Sequence, residues 1–123
     1  MKVAISASGS DKESSVDKRF ARCPYFIIVD TNKMDFKTMK NEHTSKSHGV
    51  GPQVVQTLSN MDIDAVLTGN VGPNAYRTLN AANIEVYKAS GKVSEAVKRF
   101  KKGELEKLED ETVHGHFGTG GKR

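Results

Sequence analysis

The residues of this chain whose types and spacing could do chemistry are a set of turn glycines and amides, one thiol and four imidazoles. Two related turns stand out. His48-Gly49-Val50-Gly51-Pro52 and Gly69-Asn70-Val71-Gly72-Pro73-Asn74 both close on Val-Gly-Pro, and both open a helical pattern. Proline suits a helix start, because the N–H it lacks has no partner inside the helix. Each turn therefore predicts a glycine-lined helix N-terminus, with N–H groups lacking intrahelical acceptors at the positive end of a macrodipole. If the two turns converge, the backbone at Gly49, Gly51, Gly69 and Gly72, with the amides of Asn70 and Asn74, forms a seat for an anion. The plainer reading is structural, with glycine for sharp turns and proline to begin helices. Neither turn has the spacing of a nucleotide phosphate loop or of a dinucleotide fingerprint.

Candidate metal ligands are Cys23, His48, His114 and His116. Cys23 precedes Pro24 and follows Arg19 and Arg22, a setting that could lower its pKa towards the metal-binding thiolate. A lone cysteine beside an apolar strand is more often a small buried hydrophobe. One thiolate cannot hold an iron–sulfur cluster in the usual way, with four. Any cluster would have few protein ligands, be shared between subunits, or bring its own. His48 abuts the first glycine turn, as a ligand or as an exposed loop histidine. His114-Gly115-His116 lies in a glycine-rich tail of metal-binding composition, and no zinc-finger spacing is present. No acidic residue falls within the first or the central predicted strand, and there is no Gly-x-Ser-x-Gly elbow. A non-catalytic protein is the expectation.

Length and composition set the frame. The 123 residues suit one domain, expected over residues 1–111, with a disordered Gly/His tail over 112–123. Apolar residues make up 36% and charged residues 28%, a soluble balance with no run long enough to span a membrane. The start, Lys2-Val3-Ala4-Ile5, has no apolar leader, and a single cysteine fits a reducing cytoplasm. A net charge of +4 could suit nucleic acid or another polyanion. The densest basic cluster, Lys98 to Lys102, sits at a predicted helix C-terminus, where cations are favoured as a solvated face.

These residues need positioning elements. Lys2–Ala7 reads as a strand, Tyr25–Val29 as a strand covered on both faces, and Met34–Lys40 as a half-exposed edge strand. The polar segment 8–17 reads as a mobile loop. Helices are expected from Pro52 through Met61, from Pro73 to a left-handed cap at Asn83, and from about Val93 to Gly103. The strand at Ala65–Thr68 lies between the first two helices, and another at Ile84–Lys88 precedes the third. Residues 104–111 suggest a further helical turn. The order predicts an α/β fold: a five-stranded mixed sheet, with three antiparallel strands followed by parallel strands in a β-α-β crossover, and three helices.

Phe20-Ala21-Arg22-Cys23-Pro24-Tyr25-Phe26, the turn at 48–52 and the stretch Val66–Ala75 resemble the dinitrogenase iron–molybdenum cofactor biosynthesis family. The likeness runs from Lys2 to about Phe100, and the tail is similar to that of small stand-alone members. The resemblance implies a ribonuclease-H-like fold and binding of an anionic iron–sulfur or iron–molybdenum–sulfur cluster. It also implies cluster-donor or acceptor partners and a histidine or cysteine ligand, which falls on Cys23 or His48. Ile5-Ser6-Ala7 offers no carboxylate for nuclease chemistry. Two other classes stand beside the carrier: a polyanion or nucleic-acid binding module, and a metal-free protein adaptor.

Overall fold

The computed structural model describes residues 1–42 and 50–109. Five strands and three helices follow the expected order: β1 (Lys2–Ala7), β2 (Tyr25–Asp30), β3 (Asp35–Lys40), α1 (Val50–Asn60), β4 (Ala65–Thr68), α2 (Pro73–Ala81), β5 (Glu85–Lys88) and α3 (Val93–Lys101). A sixth strand, β6 (Glu106–Lys107), replaces the expected extra helical turn. The sheet order is β3-β2-β1-β4-β5-β6. β1, β2 and β3 pair antiparallel, β1 with β4 and β4 with β5 pair parallel, and β6 returns antiparallel along β5. The mixed α/β architecture is as expected, with six strands rather than five.

Side-chain alternation along the central strands builds two cores. Ala4, Phe26, Ile28 and Val66 face α1 and α2, meeting Val54, Val55, Leu58 and Leu79. Val3, Ile5, Ile27 and Leu67 face the other way, onto Val93, Ala96 and Val97 of α3. Successive strand residues point to opposite faces, so an apolar run without alternation is what a sheet covered on both sides requires. β3 is the edge, with Lys37 and Lys40 exposed as expected, but the expected alternation of Met34, Phe36 and Thr38 against Met39 is not kept: Phe36 and Met39 are half-buried on opposite faces, while Met34 and Thr38 are exposed.

Helix boundaries follow local chemistry. Asn83 takes φ 61 and Gly103 φ 73, the left-handed geometry that ends α2 and α3. α2 begins at Pro73, as expected, but α1 begins at Val50, two residues ahead of Pro52. Pro52 still lies in the first turn, where a missing N–H is harmless.

The polar segment 8–17 is not the loose loop that its composition suggested. Ser8 N–H donates to the Ser15 carbonyl at 3.0 Å, Val16 N–H to Gly91 at 2.7 Å, and Val93 and Ser94 N–H groups donate to Ser14 and Lys12 carbonyls at 2.9 Å. The segment thereby satisfies two of the first-turn donors of α3, Val93 and Ser94, with its own backbone. His43, His48, Gly49, His114, His116 and the expected 112–123 tail lie outside the described residues.

Candidate anion-binding cleft

β4 ends at Thr68, and the chain then has to turn from strand into α2 within four residues. Gly69 permits this turn to pass close beneath another segment. A methyl group at Gly69 would lie 2.8 Å from the Cα of Lys18, closer than side-chain carbons come to backbone. The segment above it, Asp17–Arg22, is a strap laid across the C-terminal end of β4. It is stitched on by a bridge between Arg19 and Asn70 and by the Phe20 N–H donating to the Asn70 carbonyl at 3.3 Å.

The root of the strap is tied to the sheet by buried polar groups. Asp17 N–H donates to the Ser6 carbonyl at 2.8 Å, and the Ser6 hydroxyl lies 2.8 Å from the Asp17 carbonyl. Ser6 Oγ is also 2.7 Å from Thr68 Oγ1. Ser6 has a single hydroxyl proton, and with that proton on the carbonyl, Thr68 donates to Ser6 and both fully buried hydroxyls are satisfied. The Asp17 carboxylate, 7% exposed, receives Arg19 Nε and Nη2 at 3.0 Å each and the Arg19 N–H at 2.8 Å. This grip from Arg19 holds the Asp17 carboxyl below the ordinary carboxylate range, against the opposing effect of its burial.

The strap and the two glycine turns enclose a cleft of about 580 Å³. Gly51 and Pro52 of the first turn line it, as do Asn70, Gly72 and Asn74 of the second, so the two related turns do meet on one rim. They meet closely: a methyl group at Gly51 would stand 3.1 Å from Ala75 Cβ, so the first turns of α1 and α2 touch there. Gly72 is the N-cap of α2, and no side chain caps that helix. The first intrahelical donor is Tyr76 N–H, to the Gly72 carbonyl at 2.9 Å. The N–H groups of Asn74 and Ala75 precede it and have no acceptor within the helix. Lys18, Arg19 and Arg22 line the opposite wall, while Phe20, Ala21, Val50 and Ala75 supply apolar surface. No carboxylate, thiol or imidazole lines the cleft among the described residues.

The site residues expected from sequence therefore divide. Gly51, Asn70, Gly72 and Asn74 are brought together in the cleft. Gly69 does not line it; Gly69 is the seat on which the strap rests. Cys23 corrects the expectation of a reactive thiolate. Its side chain is fully buried in the core beneath α1 and α2, with Sγ 3.2 Å from the Phe20 carbonyl. Burial pushes its pKa up to about 12, and the lowering influence of Arg19 is too weak to offset that. His48, Gly49, His114 and His116 fall outside the described residues, and among the described residues no group of three or more His, Cys, Asp or Glu could hold a metal ion. What sequence reasoning missed was Lys18, Arg19 and Arg22 as cleft residues. Their signal is plain in retrospect: Asp17–Arg22 carries a net +2, three cations less one carboxylate, within six residues.

Fold and site together define a small α/β domain with a cationic cleft at the C-terminal end of its central parallel strand. The chain belongs to the dinitrogenase iron–molybdenum cofactor family, which residues 1–103 match. An uncharacterised protein of Methanocaldococcus jannaschii is 32% identical over 113 residues, covering 89% of this chain and 92% of the relative. Among solved structures, the apo form of the orange protein from Desulfovibrio gigas superposes with a TM-score of 0.87 at 32% identity, covering 91% of this chain and 96% of that one. A NifB-like Thermotoga protein of the DUF35 family gives 0.80 at 42% identity, covering 91% and 97%. Among the described residues no helix is long and apolar enough to cross a membrane.

Proposed function

We propose that this protein is a non-catalytic carrier or scaffold that receives an anionic iron–sulfur or iron–molybdenum–sulfur cluster in the strap-walled cleft and passes it between donor and acceptor proteins of the cytoplasm. The observation that carries this reading is the donor set. Lys18, Arg19 and Arg22 face the first turns of α1 and α2 across one cleft, and no carboxylate opposes them on its lining. Cations and backbone N–H groups are the partners that an anion with sulfide or oxo surface accepts. A volume of about 580 Å³ is within the range of small-ligand sites. The ligand role that the resemblance implies for His48, and the metal-binding composition of His114 and His116, belong to the same reading. We also read the sheet as the ribonuclease-H-like arrangement the family resemblance implies, without nuclease chemistry, since β1 carries no acidic side chain.

The test is anaerobic reconstitution of the protein with iron and sulfide, with and without molybdate. Expected is charge-transfer absorption that co-elutes with the protein and is lost when Lys18 and Arg22 are both changed to glutamine, with Arg19 kept as the partner of Asp17. Absorption that persists in this double variant, or none in the parent, overturns the reading.

A further inference from the structure

The described sheet ends on two unequal edges. β6 offers two residues, whereas β3 offers six, Asp35–Lys40. Asn41 N–H donates to the Pro24 carbonyl at 2.9 Å, one step beyond the pair of Tyr25 and Lys40. Antiparallel ladders alternate bonded with non-bonded pairs. Asp35, Lys37 and Met39 therefore direct their backbone groups to β2, and Phe36, Thr38 and Lys40 turn theirs outward. Among the described residues no other backbone group meets these three. Such a row is a template for a further strand. The side chains beside it are self-complementary. Asp35 and Lys37 are exposed on one face of the sheet. On the other, Met34, Phe36 and Thr38 line a shallow hollow with Ile27, where Met34 is 36% exposed and Phe36 half-buried under Lys12 Nζ, 5.3 Å from the ring centroid.

We infer that two copies of this chain pair antiparallel along β3, about a two-fold axis at Phe36. The axis of such an isologous pair stands perpendicular to the sheet and keeps each face on its own side. A slip of one residue would swap the faces, so the strands can move only in steps of two. With the axis at Asp35 or at Lys37, that residue meets its own copy, and like charges directly opposite destabilise the pair. With the axis at Thr38, Lys37 meets the partner's Met39 and Phe36 the partner's Lys40, with no ion pair. Only the axis at Phe36 sets Asp35 against the partner's Lys37 and Lys37 against the partner's Asp35. Phe36 then meets the partner's Phe36, and their outward N–H and C=O groups exchange hydrogen bonds. Lys37 thus keeps its role as a guard against other pairings while permitting this one. β1 and β2 separate this interface from β4, so both clefts stay open, at opposite ends of one continuous sheet. The pairing is independent of what the cleft carries.

Sedimentation equilibrium of the full chain over a range of concentrations tests this. Expected for the parent is a rise from monomer towards dimer mass, with a dissociation constant between about 10 μM and 1 mM, as an interface of one short strand pair allows. Asp35→Lys and Lys37→Asp each set like charges face to face in both cross-strand pairs, and each should weaken the dimer about tenfold or more. Mixed one to one, the two variants should associate with the affinity of the parent, because the mixed pair restores both opposite-charge contacts. Both positions are exposed, so melting temperatures should stay within the usual scatter for surface changes. A parent that stays monomeric to about 1 mM overturns the inference and leaves the edge to a strand of another protein. Association that neither reversal weakens, or a mixture no tighter than its components, overturns it as well.

Discussion

Gly69 lies directly beneath Lys18, so close that a methyl group in place of its hydrogen would stand 2.8 Å from the Lys18 Cα. This contact fixes the height of the whole strap over β4, and with it the placement of the cationic wall against the two helix starts. Gly72, three residues on, has nothing within 4 Å of its hypothetical methyl and φ −80, a backbone any residue adopts. Glycines of one motif thus serve two different ends.

Gly69→Ala should lift the strap and lower stability by about 1–3 kcal/mol, the usual range for overpacking. Gly72→Ala should change stability by less than about 1 kcal/mol, as expected where alanine replaces glycine at an N-cap, while its methyl group intrudes on the cleft. Urea denaturation of both variants, paired with anion-binding measurements, checks the contrast. The reverse order of stabilities would show that the strap does not rest on Gly69.

Cys23 should behave as a core residue. In the folded protein its thiol should resist iodoacetamide at neutral pH and react at once in urea. Cys23→Ala should lower stability by about 1–2 kcal/mol through the cavity left behind, without loss of cluster binding. The folded pKa of about 12 lies above the ordinary thiol value of 9.0. Burial of the neutral thiol therefore contributes stability that is fully present below pH 9 and is lost as pH rises from there to about 12. The difference between parent and Cys23→Ala, followed across that window, isolates the effect from other alkaline titrations.

Asp17 should matter at the opposite end of the pH scale. Its carboxyl titrates below the ordinary value of 3.8 because Arg19 grips it. Its contribution is thus present above that ordinary value and is lost as pH falls through the lower folded one. Asp17→Asn should flatten the acid limb of the stability profile. Asp17→Ala should destabilise by about 1–3 kcal/mol at neutral pH, the range for hydrogen bonds to charged groups. Acid titrations followed by circular dichroism check both.

Of the strap cations, Lys18 and Arg22 should act on binding and not on folding, whereas Arg19 also holds Asp17. Lys18→Gln and Arg22→Gln should each weaken capture of an anionic guest about two- to tenfold, by an amount that shrinks as salt screens the charge. Melting temperatures should stay within the usual scatter for surface changes. Affinity measured at two salt concentrations distinguishes this from loss of structure.

Much of the fold was legible in order of residues alone. The unbroken apolar run Tyr25–Val29 announced a strand covered on both sides, and the exposed lysines of Met34–Lys40 announced an edge. Asn83 and Gly103 marked helix ends, because few other residues accept a positive φ. The sixth strand was not legible. Glu106 and Lys107 are exposed and charged, and their strand character comes only from pairing with Lys88 and Tyr87 of β5. The order within segment 8–17 was hidden for a similar reason, since its hydrogen bonds run to Gly91, Val93 and Ser94 far along the chain.

Sequence by itself determined the element order, the two apolar faces and the two glycine-proline helix starts, because these follow from side-chain periodicity and local backbone preference. Only the tertiary structure decided what those starts are for. It carried Gly51 and Gly72 to one rim, buried Cys23 so deeply that neighbouring arginines could not ionise it, and turned those arginines outward as the wall of a cleft. Proximity along a chain says little about the dielectric around a group or about which charges face one another across space. Those are fixed by contacts between residues as distant as Lys18 and Gly69.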